Sequence, residues 1–255
     1  MITKPSVLLP IAPGTNRNAE LAIAFEAAGA ATEQVPLQAI RSGAVKLADH
    51  QLLALPGGFS YGDALGAGRL LGLDLAGWFA DQLNEAVERE MPIIGICNGF
   101  QALVKAGLLP GDQRASLAEN SNGRFECRWV TLSPRSSRSV WTAELTEDLR
   151  CPVAHGEGRF AGSDSEGLVA ADRVAFTYVR GDGSQADGTY PDNPNGSDLD
   201  IAGVTDPSGL ILGLMPHPED HVFRRQDPLR ARTKPGQPSG SCLDLFKAGV
   251  KAARG

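Results

Sequence analysis

A chain of 255 residues, 42% of them hydrophobic and 21% charged, can build one substantial core but not two large domains. Its formal net charge of −6 argues against nucleic acid as the main partner. No apolar run approaches the roughly 20 residues that a bilayer-spanning helix needs, so no membrane role is expected. The start, MITKPSVLLPIAPGTN, is interrupted by Pro5, Pro10 and Pro13 and lacks the basic head and long apolar body of a secretory signal. Cys97, Cys127, Cys151 and Cys242 show neither CxxC pairing nor metal-type spacing, and read as reduced thiols of a cytoplasmic protein.

The N-terminal half alternates strand and helix signals. Ser6–Ile11 is a short apolar strand. Thr15 or Asn16 is placed to cap a helix through AELAIAFEAAGA, with Gly29 at its C-terminus. ATEQVPL is a second strand, and Gln51–Leu55 a third, ending at Pro56. Apolar residues at helical spacing predict a helix over Leu73–Glu90. Met91–Ile96 is a fourth strand, followed by a helix through Leu103 and Leu109. Beyond Asn120 the pattern turns strand-like in RFECRWVTL, LVAADRVAFTYV, IAGVTD and GLILGLM, with a Gly-, Asp-, Asn- and Pro-rich loop over 181–200. A final helix covers CLDLFKAGVKAARG. With no internal repeat or low-complexity linker, residues 1–255 are expected to form a single domain. The fold class is α/β, a central mostly parallel sheet flanked by helices, with additional strands in the C-terminal half. Ligands of such sheets sit at the carboxyl ends of the strands, where both Gly57–Phe59 and Cys97 fall.

Cys97 stands where a strand hands over to a helix, with Gly95 and Gly99 two positions to either side. Helix N-termini offer free N–H groups and a positive dipole end, which favour a thiolate. A sharp strand-to-helix turn also needs small neighbours, as in the G-x-S-x-G elbow of serine hydrolases. A buried structural cysteine with packing glycines fits the same residues equally well. A nucleophile needs a base and an oxyanion site. In GLILGLMPHPEDH, His217 just past a strand end is a candidate base with Glu219 as its orienting carboxylate, although H-P-E also reads as a polar turn. His221 is a rival base without a carboxylate at that spacing. His50 and His155 read as surface or loop residues. In PGGFSYGD, the N–H of Gly58 or Phe59, together with that of Asn98, is a candidate oxyanion pair. A plain turn or phosphate loop is the alternative, and the latter is disfavoured because no Gly-Lys-Ser/Thr follows. Cys127, Cys151 and Cys242 read as packing residues, and Trp129 and Trp141 as core or half-buried strand residues.

PGGFSYGD, GICNGFQ and MPHPE, in this order and spacing, resemble the class I (type 1) glutamine amidotransferases. APGTNRNAE, NSNGRFECRWV, AHGEGRF, YPDNPNGS and MPHPEDHVFR extend the resemblance over nearly the whole chain. They make it most similar to the glutaminase component of phosphoribosylformylglycinamidine (FGAM) synthases of purine biosynthesis. The resemblance implies a flavodoxin-like sheet, with Cys97 as nucleophile, His217 as base and Glu219 as its partner. It places Gly58, Phe59 and Asn98 at oxyanion positions, and Gly57, Gln101, Arg124 and Phe125 around bound glutamine. It implies no cofactor in this chain and no metal. ATP and Mg2+ belong to a partner synthetase subunit, which uses the ammonia to form the amidine, and a small third subunit is left open. Asp220 and His221 depart from the arginine and hydrophobic residue usual after the glutamate. The chain is a free subunit, as Met1 favours, or a domain of a fused enzyme. The basic segment HVFRRQDPLRARTK and His155 are candidate partner contacts, with a solvated loop and a structural histidine as the alternatives. A glutaminase of another amidotransferase, a cysteine peptidase or hydrolase of the same fold, and an inactive assembly subunit remain as competing readings.

Overall fold

The computed structural model describes residues 4–229 and 241–255. In chain order its elements are β1 (Ser6–Ile11), α1 (Asn18–Ala27), β2 (Ala31–Pro36), α2 (Leu37–Arg41), β3 (Leu52–Leu55), α3 (Arg69–Ala76), α4 (Ala80–Glu88), β4 (Ile93–Ile96) and α5 (Asn98–Lys105). There follow β5 (Ala115–Ala118), β6 (Glu126–Pro134), β7 (Leu149–His155), β8 (Arg159–Gly162), α6 (Ser165–Ala170), β9 (Val174–Val179), β10 (Ile201–Thr205), β11 (Ile211–Leu214) and α7 (Leu243–Ala252). A nine-stranded sheet runs β2-β1-β3-β4-β11-β10-β9-β6-β7, and β5 pairs with β8 apart from it. From β2 to β11 the neighbours are parallel. From β11 to β7 they are antiparallel. The α/β class with additional C-terminal strands is the fold that forms.

Burial follows the sheet's construction. β3, β4 and β11 are buried at every position, as strands covered on both faces must be. Their adjacency has a functional consequence: β4 and β11 run parallel in direct register, Ile96 opposite Leu214. The residues just past the two strands therefore emerge at the same edge of the sheet.

Several sequence expectations change. The helix over 73–90 is two helices starting at Arg69, because the backbone at Gly77 (φ −106°, ψ −87°) breaks the ladder. The helix after Cys97 stops at Lys105. Residues 168–179 are not one strand: α6 occupies the first part, capped by Asp164, which accepts from the Gly167 N–H at 2.9 Å. At the start of α1 the cap position is Arg17, without a side-chain cap, since the Thr15 hydroxyl turns back to accept from the Ala12 N–H. Gly29 does end α1 with a positive φ of 94°. β7 escaped detection because Pro152 sits in its middle, tolerable only because β7 is an edge strand.

His50 and His155 are not surface residues; both are about 3% exposed. Cys127 is exposed rather than packed, being an outward position on β6, whereas Cys151 and Cys242 are buried. Trp141 is fully buried and donates its indole N–H to the Leu210 carbonyl. Of the basic segment, residues 230–234 lie outside the described residues. Among those described, no helix is long and apolar enough to cross a membrane.

Candidate active site

At the end of β4 the chain turns through Cys97 with φ +50° and ψ −104° before α5 begins at Asn98. A non-glycine residue held there costs of order 1–3 kcal/mol, so its surroundings must impose it. The Cys97 N–H donates to the Leu214 carbonyl at 2.8 Å, and its own carbonyl accepts from the Gln101 N–H at 3.0 Å. These bonds pin the turn from both sides. Gly99 then lies so close to β3 that a Cβ there would sit 2.2 Å from the Leu55 carbonyl oxygen. The flanking glycines thus serve close helix–strand packing, and the turn they permit displays Cys97. The thiol is 5% exposed and points toward the Ala154 carbonyl at 3.8 Å.

His217 emerges just past β11, the parallel neighbour of β4. Its N–H donates to the Pro152 carbonyl at 2.8 Å, and its Nδ1 lies 2.7 Å from Glu219 Oε1. With Nδ1–H given to the carboxylate, Nε2 is the nitrogen left for the thiol. Burial draws the His217 pKa down. The negative charges of Glu219 and then Cys97, with a hydrogen bond to the Cys97 side chain, outweigh it and leave His217 well above the usual range. His221, the rival base, turns its Nδ1 to the Arg150 carbonyl at 2.5 Å and packs edge-on against Trp129. Cys97, His217 and Glu219 therefore come together, and His221 does not join them. The donor atoms of His217, Glu219 and Asp220 also lie within 4.8 Å of one another, a spacing suited to a metal ion. However, Nδ1 is engaged with Glu219, and Asp220 pairs with Arg17.

Of the proposed oxyanion donors, Phe59 is corrected: its N–H is committed to the Gly14 carbonyl at 3.0 Å. The N–H groups of Gly58 and Asn98 donate to no acceptor among the described residues. Gly58 holds φ +140°, and a Cβ there would meet the Asn16 nitrogen at 2.8 Å. Gly57 backs the imidazole, since a Cβ on it would lie 2.7 Å from His217 Cε1.

The Gln101 amide is tied down, its Nε2 donating to the Glu157 carbonyl at 2.7 Å and its Oε1 accepting from Asn98 Nδ2 at 3.0 Å. Asn98 Oδ1 in turn accepts the Ser60 N–H. Arg124 and Phe125 are exposed, in the turn leading into β6, with Phe125 beside Gly156.

Sequence reasoning missed the support beneath Ala154. Asn120 bridges this region: its Oδ1 meets His155 Nδ1 at 3.0 Å and the Gly158 N–H at 3.1 Å, and its Nδ2 donates to the carbonyls of His155 and Arg124. Asn195 donates to the Gly158 carbonyl and reaches the Tyr178 hydroxyl. Burial, and next the charge of His217, bring the His155 pKa down to about 4. Asp63, which accepts from Asn98 Nδ2, is raised by burial and then by the charge of Glu157. The segments NSNGRFECRWV, AHGEGRF and YPDNPNGS carried this signal, without indicating which side chains turned inward.

Comparison with known proteins agrees with this geometry. Residues 4–251 match the CobB/CobQ-like glutamine amidotransferase domain. A curated relative from Treponema denticola, named phosphoribosylformylglycinamidine synthase subunit PurQ, is 43% identical over 97% of this chain and 98% of its own length. A relative of the same name from Dehalococcoides mccartyi is 42% identical over 99% of each chain. Among solved structures, a chain of PurLQS from Thermotoga maritima superposes with a TM-score of 0.74 at 33% identity, covering 97% of this chain and 98% of that one. A glutamine amidotransferase from the same organism, at 18% identity and a TM-score of 0.59, shows the fold alone.

Proposed function

Since the chain belongs to the CobB/CobQ-like glutamine amidotransferase family, we propose that it is the glutaminase subunit of a phosphoribosylformylglycinamidine synthase, with Cys97, His217 and Glu219 as its catalytic residues. The observation that carries the assignment of roles is the linked set Cys97–His217–Glu219 at the ends of adjacent parallel strands.

His217 takes the Cys97 proton, and the thiolate attacks the side-chain amide carbon of glutamine. The developing oxyanion is held by the N–H groups of Gly58 and Asn98, each of the kind worth roughly 100- to 1,000-fold in turnover. The imidazolium, steadied by Glu219, gives its proton to the amide nitrogen. Ammonia leaves, and a glutamyl thioester remains on Cys97. His217 then deprotonates a water molecule, which releases glutamate and restores the thiol. The ammonia passes to a synthetase subunit, where ATP and Mg2+ support conversion of formylglycinamide ribonucleotide to the amidine. Purine synthesis of this kind places the protein in the cytoplasm.

The test is Cys97→Ala in the complex reconstituted with its synthetase. Glutamine-dependent amidine formation should vanish while ammonia-dependent formation persists. Full glutamine use by the variant would overturn the nucleophile assignment.

A further inference from the structure

Behind the His217–Glu219 pair, acidic groups gather around one cation supplied by the start of α1. The Arg17 guanidinium lies 3.4 Å from Asp220 Oδ2 through Nη2 and 3.2 Å from Glu20 Oε1 through Nη1. Asp220 directly follows Glu219, whose second carboxylate oxygen is buried without a hydrogen-bond partner among the described residues, as is that of Glu20. The same Arg17 reaches the oxyanion loop by another route: its N–H donates to the Gly57 carbonyl at 3.3 Å. Its Cγ and His217 Cε1 both crowd the hydrogen face of Gly57, at 3.5 and 2.7 Å from the point a Cβ would occupy. One residue therefore touches the loop bearing one oxyanion donor, the wall against which the base rests, and the acid next to the base's carboxylate partner.

We propose that Arg17 is a positioning residue for the glutaminase reaction: it fastens the turn carrying His217 and Glu219 to the oxyanion loop and offsets the charge of Asp220. The proposal rests on the roles assigned above to Cys97, His217 and Glu219. Its chemical logic is proton return. An imidazole surrounded by uncompensated carboxylates binds its proton too firmly to pass it to the leaving nitrogen. Facing His217 are Glu219 and Asp220 on its own turn, Cys97 at the elbow, His155 at the end of β7, and Arg17 with Glu20 from α1. Arg17 is the cation in this set whose charge is permanent. Burial raises the Asp220 pKa first and the charge of Glu219 next, while Arg17 and then His217 act in the opposite direction. Asp220 thus interacts electrically with both Arg17 and His217 and is the group through which they are linked.

The test is an NMR titration of His217 Cε1–H in the full-length chain labelled with 13C-histidine, tractable because the sequence has four histidines. Arg17→Gln should move the His217 midpoint upward by about 0.5 pH unit, the scale of one charge interaction several ångströms away that solvent screens almost as fully as bulk water. Arg17→Lys should restore most of the wild-type midpoint. Asp220→Asn should move it downward, and the double variant should fall between the two singles. In the reconstituted complex, the pH optimum of glutamine hydrolysis should follow the same order. Superimposable His217 titrations in wild type and a folded Arg17→Gln would overturn the proposal and leave Arg17 an ordinary surface ion pair. If Arg17→Gln fails to fold, Asp220→Asn decides: no downward shift overturns it. The titration requires neither glutamine nor synthetase, so its outcome is separable from failure of the glutaminase reading, which the Cys97→Ala experiment detects.

Discussion

Replacing Gly57 by alanine isolates the geometry of the base from the stability of the fold. The backbone at Gly57 is outside the left-handed region, so an alanine is conformationally acceptable there. The new Cβ, however, would sit 2.7 Å from His217 Cε1 and 3.4 Å from Nδ1. Carbon–carbon contacts are comfortable at about 3.5–4.0 Å, so the ring or the loop must give way by about 1 Å. If the ring moves, it leaves the line between Glu219 and the thiol. If the loop moves, it carries the Gly58 donor with it. A misplacement of that size costs about 100-fold in rate, so kcat for glutamine hydrolysis should fall by about that factor with little change in melting temperature. Glutamate release by the reconstituted complex, alongside a thermal melt, measures both. The loss should also disappear on a His217→Ala background, because the residue being displaced is already gone. Activity within threefold of wild type in a folded Gly57→Ala protein, or a further loss on top of His217→Ala, would refute the reasoning.

Gly99→Ala should act on the fold instead. Its Cβ would meet main-chain atoms of Leu55, with 2.2 Å to the carbonyl oxygen, and overpacking of this kind costs about 1–3 kcal/mol or more, readable as a lower urea midpoint. His221→Gln should keep glutamine hydrolysis within about threefold of wild type. His217→Gln should lose the 100- to 10,000-fold typical of a general base, and a reversed order would reassign the base. His155 gives a pH signature. Its folded pKa of about 4 lies below the ordinary 6.5, so the unfolded chain binds the extra proton. The contribution is complete above pH 6.5 and is lost as pH falls toward 4, by roughly 3 kcal/mol at most. Urea midpoints between pH 7 and 4 should fall more steeply for wild type than for His155→Gln, and parallel curves would remove His155 from the account.

What the sequence reveals of this site depends on how local the signal is. The inner parallel strands β3, β4 and β11 were legible because they are short, free of polar side chains and punctuated by Pro56, Cys97 and Pro216, each marking a carboxyl end. Cys97, His217 and Glu219 stand at or just past those ends, which made them candidates, while their roles came from the family resemblance. The long-range facts were not legible. Whether Gly58 or Phe59 offers its N–H depends on Gly14, more than forty residues earlier, whose carbonyl takes the Phe59 donor. His155 looked like a loop residue because Pro152 obscures the strand before it. The break between α3 and α4 lies at Gly77, within a stretch whose apolar spacing stays helical on both sides.

The two halves of the sheet also divide the work of the site. On the proposed assignment the parallel half supplies the reacting groups, since the adjacent parallel strands β4 and β11 deliver Cys97 and His217 to one edge. The antiparallel half supplies the wall they face. Ala154, whose carbonyl the thiol approaches, is paired with Cys127 in the β6–β7 ladder, and an edge strand alone would leave it free to drift. Asn120 prevents this by bonding both the carbonyl and the ring of His155, the next residue, while Asn195 anchors Gly158 from the loop over 181–200. Such a network tolerates burial only when its members are satisfied, and a neutral His155 meets that condition. A buried cation beside His217 would not, because it would repel the imidazolium that the proposed mechanism uses to deliver a proton. The depressed His155 pKa and the raised His217 pKa are therefore one electrostatic arrangement: the histidine kept neutral belongs to the wall, and the one kept chargeable is the proposed base.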